Sequence, residues 1–453
     1  MHPILVLGIA TGLVFLLIIR FKVNAFISLI TAALAVGVLS PRIRLGEAAG
    51  DTADIFGHVA GQVAVVIALS AVIAQCLMES GAADKISRRL VSLFGERFVA
   101  LALLISGFAL AIPVFFDTVF YLLVPLVRAM AVRTGRNYLL LVMSVAAGAT
   151  ISHSLVPPTP GPLAVATALH IDLGTAILAG IVFGLPASIV GWLYSRFVDR
   201  RMNVGFRNAP GLSLEELREL SLRPEKHLPG FTLAVLPIAL PVLLITANTA
   251  AIAMNVRGPL GEWTAFLGNP NFALLVAAAV ALYGLARQKR STLAELARPV
   301  NAGLRGGGII VLITCAGGAF GGMLAKAGVG DAINDFAARM GVSVLLVGFL
   351  LAALFRVAQG SSTAAMITAA AILNPMIQAG VLPFHPVYLA VAIGAGSKVG
   401  SWMNDSGFWV IQQMSGLTET EMLKTWTPMT ALMGTVAFTL ALLASHILPL
   451  VPK

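Results

Sequence analysis

Apolar positions along the 453 residues come in long unbroken runs, neither alternating as in a half-buried strand nor striped along one side as in a soluble helix. Ile4–Ile19, Val59–Leu77, Phe272–Leu285 and Met429–Leu448 each approach the ~20 residues that carry a helix across a bilayer. The pattern predicts membrane helices at 4–19, 23–40, 58–79, 138–168, 173–195, 231–250, 272–286, 303–325, 386–414 and 429–450, ten crossings in all. Two further apolar stretches, 98–131 and 343–378, are split at their centres by Phe116-Asp117-Thr118 and by Gln359-Gly360-Ser361-Ser362-Thr363. Half of either stretch is too short to cross comfortably, so both are expected to be re-entrant helical hairpins. The expected fold is an all-α polytopic membrane protein.

Composition narrows the function. Hydrophobic residues make up 58% and charged residues 11% of the chain, against about 25% charged in a soluble domain, and the mean hydropathy is +0.92. Only His2 and Pro3 precede the first run, which is therefore read as a retained span and not as a signal peptide. A net charge of +10 does not point to nucleic acid, because the basic residues sit in short loops and not on a soluble face. With Met1 outside, 22 of the 30 Lys and Arg residues fall on the inner side and six on the outer, while Arg356 and Lys398 remain within the membrane. That excess is the inside signature of a multi-pass protein, and it puts both termini outside. Cys76 and Cys315 lie inside apolar spans as packing residues, and no spacing of Cys, His or acidic residues forms a metal site or a cofactor fingerprint. Neither a metal nor a cofactor is expected.

Internal repetition organises the chain. Met78-Glu79-Ser80-Gly81-Ala82-Ala83-Asp84-Lys85-Ile86 parallels Ala325-Lys326-Ala327-Gly328-Val329-Gly330-Asp331-Ala332-Ile333 at an offset of 247, and Gly148 parallels Gly394 at 246. Each half has two spans, a third ending in a Gly-Asp element, a hairpin, an interrupted helix and a last span. Five crossings per half is an odd number, so the second copy runs upside down relative to the first, as in many secondary transporters. The expected organisation is a first inverted repeat over 1–200, a cytoplasmic linker over 201–228 with a short amphipathic helix at Leu214–Leu222, and a second inverted repeat over 229–453. Hairpin 98–131 and broken helix 138–168 belong to the first repeat, hairpin 343–378 and broken helix 386–414 to the second.

The interruptions carry the candidate chemistry. Pro157, Pro158, Pro160 and Pro162 end any continuous helix, each removing a backbone donor. The partner segment breaks through Gly396, Gly400, Asn404, Asp405, Ser406 and Gly407. Unwound backbone at membrane depth is tolerated where it is buried in protein or lines a water-filled cavity. Half-helices starting near Thr118, Gly161, Ser361 and Ser406 would turn free N–H groups and positive dipole ends toward an anion. Thr118, Thr159, Ser361, Ser362, Thr363 and Asn404 can cap those helices or bind substrate oxygens, and both readings stand. Asp117, His153, Arg356, Lys398 and Asp405 are ionisable at membrane depth, with Glu79 near a boundary. Such groups are costly in hydrocarbon and mark function by default. Asp117, Asp405, His153 and Glu79 are the candidates for carrying a coupling proton, and Arg356 and Lys398 are charge partners, either of which can pair with Asp405. Trp402, Phe408 and Trp409 read as packing around the second break.

Glu79-Ser80-Gly81-Ala82-Ala83-Asp84, Ile112-Pro113-Val114-Phe115-Phe116-Asp117, Pro157-Pro158-Thr159-Pro160-Gly161-Pro162, Gln359-Gly360-Ser361-Ser362-Thr363 and Asn404-Asp405-Ser406-Gly407-Phe408-Trp409 together resemble the gluconate permease family of proton symporters, within the ion transporter superfamily. The likeness runs from about residue 4 to 450. It implies a bacterial inner-membrane carrier importing gluconate or a related hydroxy-carboxylate with protons, a homodimer, and an elevator-like movement of the hairpin-bearing part. It also implies a substrate site made by Asp117 and Thr118 and by Gly360, Ser361, Ser362 and Thr363 at the tips, with Pro158, Thr159, Gly161, Asn404 and Asp405 at the breaks. Asp117, Thr159 and Ser362 depart from the family pattern, where Glu, His and Ala are usual. Sodium is an alternative coupling ion, since unwound carbonyls can ligate it. A D-amino acid is an alternative cargo. A passive anion channel and an intramembrane enzyme using Asp117, Asp405 and His153 are the competing classes, the last lacking any His-Glu-x-x-His or Gly-x-Ser-x-Gly signature.

Overall fold

The computed structural model describes residues 2–95, 98–135, 137–207, 228–329, 343–378, 382–403 and 405–450. Among these residues every regular element is helical. The first half comprises α1 (Pro3–Phe15, continued by a π turn to Arg20), α2 (Ala25–Leu39), α3 (Ala48–Ser80), α4 (Ala82–Phe94), α5 (Val99–Leu110), α6 (Phe116–Thr134), α7 (Tyr138–Leu155), α8 (Pro160–Ala168) and α9 (Leu173–Met202). The second comprises α10 (Phe231–Ala253), α11 (Pro259–Leu267), α12 (Pro270–Lys289), α13 (Leu293–Lys326), α14 (Val344–Gln359), α15 (Ser362–Gln378), α16 (Val387–Gly396), α17 (Ser406–Ser415) and α18 (Glu419–Ile447). Of the expected linker, residues 208–227, including Leu214–Leu222, lie outside the described residues, as do Gly330, Asp331 and Asn404.

Seven helical segments among the described residues, one of them 138–168 taken whole, are long and apolar enough to cross a membrane. The pattern predicted ten. The difference lies at 4–19 and 23–40, which form shorter helices of 13 and 15 residues, and at 386–414, which is split into two helices of ten. Three helices are longer than their apolar runs, and polar residues at their starts find partners, two within their own first turn and one on another helix. In α13, Thr292 and Glu295 close a capping box, and Thr418 and Glu421 do the same for α18. In α3, Asp51 accepts from Lys326 Nζ at 2.6 Å, tying the start of α3 to the end of α13.

The broken helix α7–α8 is the axis of the molecule. The apolar window within 138–168 is wholly buried, whereas the corresponding window of α10 is 28% buried. Packing around it follows one rule in both halves. The first part of each broken helix lies on the first hairpin helix of its own half, α7 on α5 and α16 on α14. The second part lies on the second hairpin helix of the other half, α8 on α15 and α17 on α6. Close approach makes glycine necessary at these contacts: a side chain on Gly148 would overlap the Leu104 carbonyl of α5, and one on Gly396 the Phe349 carbonyl of α14. At 12 residues α5 is about 18 Å long, well short of the ~30 Å hydrocarbon layer.

Candidate functional site

Four interruptions converge. Residues 111–115 turn α5 back into α6, and 156–159 separate α7 from α8, where the Pro157–Pro158 bond is cis. Gly360 and Ser361 turn α14 into α15, and residues 397–405 separate α16 from α17. Gly360 sits at φ +74°, a left-handed conformation that suits a residue without Cβ and lets the chain reverse in two residues. Between the two hairpin tips and the second break lies a cavity of about 470 Å³, lined by Phe115, Phe116, Asp117, Thr150, His153, Ile310, Ile313, Arg356, Gly360, Ser361, Ser362, Thr363, Ala364, Lys398, Asp405, Ser406 and Trp426.

Asp405 is the most heavily bonded acid there. It pairs with Arg356 Nη2, accepts from the Ser401 hydroxyl, and caps α17 by accepting from Gly407 N at 3.0 Å. The Arg356 and Asp405 side chains are only 3% and 9% exposed, so the pair stands in a low-dielectric setting where attraction offsets desolvation only with good geometry and further hydrogen bonds. Those bonds are present. Arg356 also donates to the Gly360 carbonyl and to Ser401 Oγ at 2.8 Å, and Trp426 Nε1 reaches Ser401 Oγ at 2.7 Å. One guanidinium thus clamps the second hairpin tip to the second break. The Lys398 ammonium lies apart from this cluster, donating to the Thr150 hydroxyl at 3.0 Å and carbonyl at 3.3 Å.

The first tip meets the same break from the other half. Ser406 Oγ donates to Asp117 Oδ2 at 3.3 Å, the Phe116 ring lies tilted against Trp426 with centroids 5.5 Å apart, and Phe115 lies 6.1 Å from the His153 ring. The second tip also meets the first broken helix. Ser362 Oγ is 3.0 Å from Ser154 Oγ and 2.7 Å from Ser397 Oγ, a chain of hydroxyls joining α7, α15 and the end of α16. Gly161 accommodates Met366 and Thr363 from α15.

Of the residues singled out from sequence, Asp117, His153, Arg356, Gly360, Ser361, Ser362, Thr363, Lys398 and Asp405 line the one cavity. Pro158 and Thr159 line a small adjoining gap with Pro113 and Phe115, and Thr159 spends its hydroxyl on the Val156 carbonyl at 2.6 Å. Thr118 and Gly161 stand beside the cavity and not on its wall, and Asn404 falls outside the described residues. Glu79 is remote, bound by Lys289 at 2.8 Å and Gln75 at 2.9 Å. As caps, Ser361 accepts from Ala364 N and Asp405 from Gly407 N, while Thr159 makes no such bond. Sequence reasoning missed Thr150, Ser401 and Trp426. Thr150, one turn before His153, and Ser401, four residues before Asp405, were within reach of a helical-spacing argument; Trp426 comes from α18 and needed the fold.

The profile described as GntP family permease matches residues 2–447. A gluconate permease of Pseudomonas aeruginosa is 36% identical over 437 residues, covering 95% of each chain. The low-affinity gluconate transporter of Escherichia coli K12 is 32% identical, covering 96% of each, and the Gnt-II system L-idonate transporter of the same organism is 32% identical, covering 95% of this chain and 96% of its own. In fold, the chain superposes on the Alcanivorax borkumensis YdaH transporter with a TM-score of 0.67 over 94% of this chain and 98% of the other, at 15% identity.

Proposed function

The chain belongs to the GntP family of permeases, multi-pass membrane transporters and not enzymes, and from that premise we propose that it imports gluconate or a closely related sugar acid by proton symport. The reading places it in the bacterial inner membrane with both termini outside, as a homodimer, with its halves as inverted repeats of five crossings and a hairpin each. The crossed packing of the second parts of the broken helices, α8 onto α15 and α17 onto α6, supports that symmetry. The cavity is read as the substrate site. The observation carrying the proposal is the convergence of both hairpin tips and the second break on one chamber that brings Asp117, Arg356, Lys398 and Asp405 together in a chain exposing many large apolar side chains.

Asp117 is the proton carrier in this reading. Asp405 is committed to Arg356, whereas Asp117 accepts from the Ser406 hydroxyl and, among the described residues, forms no ion pair, so it can gain and lose a proton without breaking one. The coupling has an electrical purpose. Bringing an anion into a negative interior is opposed by about 2.3 kcal/mol per charge per 100 mV, and one proton cancels that charge. In proteoliposomes, an inward pH gradient without sodium should drive accumulation of labelled gluconate above its outside level. Asp117→Asn should lose that accumulation and keep gluconate-for-gluconate exchange. Accumulation driven by sodium and indifferent to pH would overturn the proton reading.

A further inference from the structure

We propose that the Lys398 ammonium is the anchor for the substrate carboxylate, and that its balance against Asp117 makes symport obligatory. The inference rests on reading the central cavity as the substrate site. Lys398 is 3% exposed, lines that cavity, and among the described residues donates only to the two neutral oxygens of Thr150. Among the described residues no carboxylate forms an ion pair with it. The nearby candidate, Asp405, is taken by Arg356, and Asp117 meets Ser406. An ammonium has three donors, so after Thr150 one N–H remains. A buried cation is expensive unless an anion balances it, and among the described residues no carboxylate does so by direct contact. A carboxylate entering the cavity does, making a charge-assisted hydrogen bond to Nζ. The hydroxyls of Ser361 and Thr363 on the facing tip then suit the polyol remainder of a sugar acid.

Charge counting gives the second half of the proposal. Arg356 and Asp405 cancel, and His153, on the same wall, is counted as the neutral imidazole in every state. In the empty site, ionised Asp117 balances Lys398; in the loaded site, the bound carboxylate balances Lys398 and the proton neutralises Asp117. Both states are neutral. Substrate without proton leaves one negative charge, and proton without substrate leaves one positive charge. Either half-loaded form carries that charge within the hydrocarbon layer, where it is strongly disfavoured. The carrier therefore moves empty or fully loaded, which is one-for-one coupling without any contact between proton and substrate.

Lys398→Met tests the assignment. Purified wild type should gain melting temperature with sodium gluconate and little with neutral D-glucitol of the same length. In Lys398→Met the gluconate affinity should fall at least ~30-fold, the preference over D-glucitol should vanish, and the apo melting temperature should hold, because no ion pair is broken and Asp117, left without its balancing charge, can take up a proton. Lys398→Arg, keeping the charge, should restore part of the affinity. A Lys398→Met protein that binds gluconate as tightly as wild type overturns the proposal and assigns Lys398 to the Thr150 contact alone. Should that variant not be recovered folded, wild type decides: equal shifts with gluconate and D-glucitol overturn the proposal. A wild type that shifts with no sugar acid removes the substrate-site reading itself, a result distinct from losing Lys398 alone.

Discussion

At the scale of single residues, the site is organised by which charges are paired. Asp405 could have been matched in sequence with either Lys398 or Arg356, since both lie within the same hydrophobic neighbourhood and no spacing rule separates them. The fold decides for Arg356 because the left-handed turn at Gly360 brings the end of α14 against the second break. That pairing predicts an asymmetry. Arg356→Met leaves a carboxylate buried at 9% exposure without its cation and should cost about 3–5 kcal/mol of stability, while Arg356→Met combined with Asp405→Leu should recover most of it. Melting temperatures in detergent measure the stability. Uptake assays should find both variants inactive, since the clamp between hairpin tip and break is gone in each. Full stability of Arg356→Met would mean that the pair contributes little to holding the chamber together.

At the scale of elements, the breaks were legible and the helix lengths were not. Prolines 157, 158, 160 and 162 and the glycine-rich run after Gly394 interrupt helix by local chemistry, which needs no tertiary information, and the observed ends at Leu155, Pro160, Gly396 and Ser406 follow it. The polar first turns of α3, α13 and α18 were averaged away by hydropathy, although the capping boxes Thr292–Glu295 and Thr418–Glu421 stood in the sequence as start signals. Trp426 entered the chamber unforeseen because α18 reads as an ordinary span until its neighbours are known. What distinguishes a membrane core from a soluble one here is backbone proximity through small residues. Gly148 is the test: its Cα faces the Leu104 carbonyl and Phe108 amide of α5 with no room for a methyl. Gly148→Val should separate α7 from the first hairpin at a cost of about 1–3 kcal/mol or more, lowering the melting temperature. Gly8→Val, with open space around it, should leave it unchanged.

At the scale of the whole molecule, α13 has two glycine faces that hold different neighbours. Gly318 and Gly322 admit Val59 and Ile55 of α3, while Gly317 and Gly321 admit Ile367 and Ala371 of the second hairpin helix α15. Earlier in α13, Ile310 and Ile313 wall the central chamber, and Thr314, the four glycines, Ala325 and Lys326 wall a second cavity of about 490 Å³ with Gln62, His170 and Asn374. One long helix therefore flanks both chambers, and its glycine face toward α15 offers few side chains to impede sliding. If α3 and α13 form the stationary part of an elevator and α15 belongs to the moving part, pinning α13 to α15 should stop turnover without emptying the site. A Cβ built on Gly317 lies 3.5 Å from Ile367 Cβ, at the short end of the ~3.5–4.5 Å a disulfide spans. In a background with Cys76 and Cys315 replaced by alanine, Gly317→Cys with Ile367→Cys should lose uptake on oxidation and regain it with reductant. The melting-temperature gain with gluconate should persist throughout, since no residue lining the central chamber has been altered. Undiminished uptake by the oxidised protein would show that α15 stays fixed against α13 during transport, and the moving boundary would have to run elsewhere.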